Sequence, residues 1–172
     1  MQVQITIPGH VQPKERPRAT RTGHAYTPRR TRAYEAAVKA AYMEQHGQTM
    51  LTGPLAAEIT VYMAVPASAT KKAREAMMAG KILPTKRPDI DNCAKGILDA
   101  LNGLAFEDDR QITGLLIRKR YDDGGGERAE VKIRELLSEN RNLFLPQSIM
   151  FRYDSNTFIK EEKGYGIKKN GF

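Results

Sequence analysis

Cysteine, histidine and long apolar runs are all scarce in this sequence, and each shortage removes a class of function. Cys93 is the only cysteine among 172 residues, so no intramolecular disulfide can form and a thiolate zinc site would lack partners. A reducing cytoplasm fits that usage. His10, His24 and His46 fall at no ligand-like spacing and are assigned no chemistry. No apolar run is long enough to span a membrane, and the N-terminal MQVQITIPGH alternates polar and apolar residues where a signal peptide would carry an apolar core. The chain is therefore expected to be soluble and untargeted, with no membrane partner. A glycine-rich phosphate loop of the Walker type is also missing, which argues against an enzyme acting on small phosphates.

Positive charge, by contrast, is plentiful. Lysine and arginine number 28 against 20 acidic residues, for a net charge of +8, a balance that favours polyanions such as nucleic acid. Apolar residues make up 40% of the chain, enough for the core of one compact domain. The alternation of Val3, Ile5 and Ile7 predicts a strand ending at Pro8-Gly9. Residues 10–32 form a proline-containing basic loop with Lys14, Arg16, Arg18, Arg21, Arg29, Arg30 and Arg32 against the single acid Glu15.

Further on, a helix is predicted from Arg32 to His46, with Thr31 as its cap and Gly47 closing it. A second, inner strand spans residues 55–65, and a short lysine-rich helix covers 69–79. The apolar spacing of Ile90, Cys93, Ala94, Ile97, Leu98 and Leu101 predicts the clearest helix, ending at Asn102-Gly103. Residues 111–121 and 128–136 read as two strands joined by DDGGGE in a hairpin. The predicted fold is α+β, a mixed sheet of about four strands in the order β-α-β-α-α-β-β with the two longer helices on one face. Residues 1–137 make the domain, and 138–172, which lack sustained periodicity, an appendage.

Within this basic chain, carboxylates come in two bursts at opposite ends of the clearest helix, Asp89 with Asp91 and Asp108 with Asp109. Aspartate at a helix start serves stability alone in many proteins, and an Asp91–Lys95 pair is worth a few tenths of a kcal/mol on an exposed face. Turn propensity accounts for one of Asp108 and Asp109 but not for two adjacent repelling charges. A hard divalent cation would relieve that repulsion if the strand start lies beside the helix start. Metal-assisted phosphate chemistry is the reading to test. A non-catalytic nucleic-acid-binding module, with acidic pairs that only cap a helix and end a hairpin, is the alternative.

The segments Asp89-Ile90-Asp91-Asn92, Lys95 and Asp108-Asp109-Arg110-Gln111 resemble, in order and spacing, the hallmark of the RusA family of Holliday junction resolvases. Lys14-Glu15-Arg16-Pro17-Arg18 and Tyr26-Thr27-Pro28 are similar to segments of its phage and Gram-positive branch. The resemblance covers residues 1–136. It implies a homodimeric, Mg²⁺-dependent endonuclease, with Mn²⁺ as a substitute, that resolves four-way DNA junctions by paired nicks in recombination and repair. It also implies Asp89, Asp91 and Asp109 as essential acids, Asp108 as a further metal ligand and Lys95 as the catalytic lysine. Where some members carry arginine before the first aspartate, this chain has Pro88, preceded by Arg87. The branched DNA would be gripped by Lys14, Arg16, Arg18, Arg21, Arg29 and Arg30, by Lys86 and Arg87, and by Arg118 and Lys119. Val61, Met63 and Val65 are candidates for core or interface, and Phe144, Phe151, Tyr153 and Phe158 for interface.

Overall fold

The computed structural model describes residues 1–136. The chain begins with β1 (Gln2–Pro8), whose residues alternate strictly between exposed and buried. The basic loop that follows contains a small hairpin of β2 (Arg18–Ala19) and β3 (Ala25–Tyr26). Then come α1 (Arg29–His46), β4 (Leu55–Met63), α2 (Lys71–Met78) and α3 (Ile90–Leu101). A short 3-10 turn at Asp109–Gln111 leads into β5 (Ile112–Tyr121), and β6 (Arg128–Glu135) ends the fold. The architecture is α+β, as the sequence predicts. Its four-stranded sheet runs β1-β6-β4-β5, with β4 and β5 parallel and the other pairs antiparallel.

Period-2 burial builds one apolar face. Ile5, Val131, Ile59 and Ile117 sit side by side across the sheet, as do Ile7, Ala129, Val61 and Lys119 in the neighbouring row. Against this face pack Tyr34, Val38 and Tyr42 of α1 and Cys93, Ile97 and Leu101 of α3, forming a single core. Each fully buried branched side chain contributes about 1.5–3 kcal/mol. Val61 belongs to this core rather than to an interface.

Three local expectations need correction. Residues 111–121 and 128–136 are not a hairpin, because β4 lies between β5 and β6 and pairs with both. The apolar centre of the sheet is better filled by β4, whose Leu55, Ala57, Ile59 and Val61 are all buried, than by β5, which has arginines and lysines at its far end. Secondly, α1 starts one turn earlier than predicted. Thr31 is buried inside it at 2% exposure and does not act as a cap. The preset φ of Pro28 delivers the chain into the helix without a side-chain cap. Thirdly, the basic loop is not wholly irregular, since β2 and β3 close a turn at its tip. The predicted appendage, with Phe144, Phe151, Tyr153 and Phe158, lies outside the described residues. No helix among the described residues is long and apolar enough to cross a membrane.

Candidate functional site

Between β4 and the parallel β5 the chain must return to the same end of the sheet, and α3 makes the final leg of that return. It therefore runs antiparallel to both strands. Its last turn adjoins the start of β5, where Asn102 and Leu51 bridge to Phe106 and Gln111 donates to the Gly53 carbonyl at 3.0 Å. Its first turn adjoins the far end of β5, where Lys119 Nζ donates to the carbonyls of Lys86 (2.8 Å) and Pro88 (3.1 Å).

Asp89 and Asp91 thus stand at the opening of α3 beside the end of β5. Both side chains are exposed. Asp89 occupies the N-cap position, yet its carboxylate makes no capping hydrogen bond and only its carbonyl serves the helix, accepting from Cys93 N at 3.2 Å. Nor is an Asp91–Lys95 ion pair present among the described residues; Lys95 is exposed one turn along the helix. Purely structural roles for these side chains thus find no partner among the described residues. The two carboxylates, two residues apart at one helix opening, form an oxygen-donor pair suited to Mg²⁺, which takes one or two carboxylates and completes its shell with water and phosphate.

The second acidic burst behaves differently. The Asp108 carboxylate accepts from Arg110 N (2.9 Å) and Arg110 Nε (2.8 Å), and the guanidinium holds its pKa below the usual carboxylate range. Gln111 Oε1 accepts from Glu107 N and Asp108 N at 2.9 and 3.1 Å. Asp108 and Gln111 thereby shape the turn, and the Arg110 guanidinium already engages the carboxylate expected as a metal ligand. Asp109 is left exposed on that turn. The two bursts do not converge within one copy of the chain. The 12 residues of α3 separate them, roughly 18 Å at 1.5 Å per residue. No group of three or more potential ligands forms among the described residues.

Over the opening of α3 lies an open cleft of about 430 Å³ lined by His10, Gln12, Lys14, Arg87, Asp89 and Asn92. Residues 12–14 form its wall. Lys14 N donates to the Asn92 carbonyl at 2.9 Å, and the Lys14 ammonium is clasped by Glu35 of α1 and Asp99 of α3, the latter at 3.0 Å. Burial opposes its charge, but the two carboxylates outweigh that and hold its pKa above the ordinary lysine value. Lys14 is therefore a tie between elements rather than a free phosphate grip. Burial, together with the charges of Asp89 and Asp91, pushes the Cys93 thiol up to about 11 in spite of Lys119, so it stays protonated and inert at neutral pH.

A second open cleft, of about 400 Å³, is lined by Glu15, Arg18, Tyr26, Pro28, Arg29 and Arg30. Arg29 and Arg30 occupy the first turn of α1, which has no acidic residue to oppose them. Arg18 reaches Glu15 at 3.1 Å. Arg16, Arg21, Lys86 and Arg87 are exposed. The expected Arg118 and Lys119 grips part company, because alternate residues face opposite sides of a strand. Arg118 pairs with Glu58 at 2.6 Å on the open face, while Lys119 turns under the aspartate loop. Neither the Lys14 tie nor the inward placement of Lys119 is among the expectations from sequence. The period-2 signal for the latter was available: Lys119 follows Leu115 and Ile117 on the helix-covered face.

Comparison with known proteins agrees with these features. The family model described as endodeoxyribonuclease RusA matches residues 8–134. A relative, the uncharacterized protein YqaN of Bacillus subtilis (strain 168), is 34% identical over 139 residues, spanning 78% of this chain and 96% of its own length. With the matched span reaching from the end of β1 almost to the end of strand β6 and including both acidic bursts, the chain belongs to the RusA endodeoxyribonuclease family.

Proposed function

We propose that this protein is a Mg²⁺-dependent endonuclease that, as a homodimer, resolves four-way DNA junctions by paired nicks. The observation that carries the reading is the opening of α3, where the Asp89 carboxylate does not cap the helix and neither Asp89 nor Asp91 forms an ion pair among the described residues. Lys95 stands one turn away, on a protein of net charge +8. Magnesium bound there supplies a water of lowered pKa and neutralises charge on the scissile phosphate. The rest falls to the chain. Asp89 and Asp91 hold the cation, with Mn²⁺ acceptable to the same oxygen donors. Lys95 sets an ammonium against the charge that builds on the phosphoryl and leaving oxygens. Arg18, Arg29 and Arg30 draw in the flanking backbone, because three guanidinium groups close to the positive end of the α1 dipole are relieved by an anion.

A second copy supplies what one copy lacks. The outer edge of β1 is blocked: Gln45 exchanges hydrogen bonds with the backbone of Thr6 (3.0 and 2.9 Å), and His46 bonds that of Gln4. By contrast, among the described residues β5 has a strand neighbour on one side only, and it exposes Leu115 at 46%. Antiparallel pairing of β5 with its counterpart across a twofold axis brings the start of one strand to the end of the other. The partner subunit's Asp109 then approaches Asp89 and Asp91. Such symmetry also suits a junction cut on two strands.

Replacing Asp91 with Asn is expected to lower Mg²⁺-dependent nicking of a synthetic four-way junction by at least about a thousandfold while junction binding changes less than about threefold. Gel analysis of the junction, a linear duplex and a flap, each with and without Mg²⁺, measures both. Nicking retained by Asp91→Asn would exclude Asp91 as a ligand, and wild-type binding without nicking would leave a non-catalytic DNA-binding module.

A further inference from the structure

In the row of the sheet that runs Ile7, Ala129, Val61, the fourth place, on β5, is taken by Lys119. Its neighbours in the row are buried apolar side chains, so an aliphatic residue is what packing alone would put there. Lys119 is half-buried, so its stem lies along the apolar row while its ammonium keeps part of its hydration and takes protein acceptors for the rest. Lys119 finds two, the carbonyls of Lys86 at 2.8 Å and Pro88 at 3.1 Å. Its hydrogen-bond partners among the described residues are these two carbonyl dipoles, not a carboxylate.

The two acceptors belong to the segment that ends at Asp89. Residues 86–88 lie outside any helix or strand, and among the described residues no other hydrogen bond reaches them. From these placements, and resting on the metal-dependent reading above, we propose that Lys119 is a positioning residue. It clamps the turn that presents Asp89 and Asp91, so that both carboxylates are set for the cation before it arrives, and it does not contact DNA phosphate. The sheet thereby holds a segment that no other hydrogen bond reaches among the described residues. Outer groups of this kind orient metal ligands, and their loss weakens metal binding although they never touch the ion.

Two substitutions test the proposal. Lys119→Met keeps the aliphatic stem that fills the row and removes the donors; Lys119→Arg retains donors and charge. Each is compared with the wild type for the Mg²⁺ concentration giving half-maximal junction nicking, for the salt dependence of junction binding without metal, and for hydrogen exchange over residues 86–93 in the metal-free protein. Lys119→Met is expected to need about tenfold more Mg²⁺, to exchange faster over 86–93 and to keep both junction affinity and salt slope, while Lys119→Arg restores most of the Mg²⁺ response. A salt slope reduced by about 1 with an unchanged Mg²⁺ requirement would make Lys119 a phosphate contact and overturn the proposal. A lowered Mg²⁺ requirement would also overturn it, since it would mark the ammonium as a charge that merely repels the cation. If the wild type nicks nothing, the nuclease reading fails separately; the exchange comparison still decides, because unchanged exchange over 86–93 in Lys119→Met removes the clamp.

Discussion

Residues of the same type in this chain do opposite jobs, and their neighbours decide which. Asp108 is held by Arg110, whereas Asp89, at a helix start that invites capping, leaves its side chain uncommitted. Gly96 is a similar case. In the middle of α3 a glycine costs about 1 kcal/mol relative to alanine, yet a Cβ there would stand 3.3 Å from the Gln12 carbonyl oxygen and 3.4 Å from Lys14 N. Both are backbone atoms of a segment tied down by Asn92, Glu35 and Asp99, so they cannot retreat cheaply. Gly96→Ala is expected to destabilise the fold by about 1–3 kcal/mol despite the gain in helix propensity, read as a lower urea midpoint with unchanged slope. A midpoint raised by the substitution would mean the wall of the cleft moves freely.

At the scale of elements, the tie made by Lys14 joins the N-terminal segment to α1 and α3. The folded pKa of Lys14 lies above the ordinary lysine value of 10.5. Its stabilising contribution is therefore fully present below that value and is lost as pH rises through the folded pKa. The thermal midpoint of the wild type is expected to fall above about pH 10.5 in excess of the fall in Lys14→Met. At neutral pH that variant, with Glu35 and Asp99 left facing one another, should already be about 1–3 kcal/mol less stable. Equal alkaline slopes in the two proteins would remove the tie from the account. Much at this scale was legible beforehand. The strands at Val3–Ile7 and residues 55–63 and helix α3 follow from apolar periods of 2 and 3.6 that hold over whole elements. The start of α1 was misplaced because Thr31 resembles a cap locally, while in the fold it packs inside the helix at 2% exposure.

For the molecule as a whole, strand order governs the site. Because β5 is parallel to β4 and α3 returns the chain from one to the other, the two acidic bursts stand at opposite ends of β5, and in the proposed homodimer the ligand set would be completed by the second copy. Leu115 lies at the middle of the free edge, so Leu115→Lys is expected to leave the fold intact, convert dimers to monomers in sedimentation velocity and abolish nicking. Dimers that persist with Lys at 115 would place the interface elsewhere.

The sequence by itself determined the inventory: the helices and strands, the basic loop, and the two acidic bursts with Lys95 between them. These depend on side-chain period and local chemistry, which act over a few residues. Only the tertiary structure decided that β4 separates β5 from β6, that Lys14 and Lys119 serve as internal ties, and that Asp108 answers to Arg110. Each of these rests on contacts between residues distant in the chain. Their energies depend on which strands pair and which faces meet, and no local pattern encodes that.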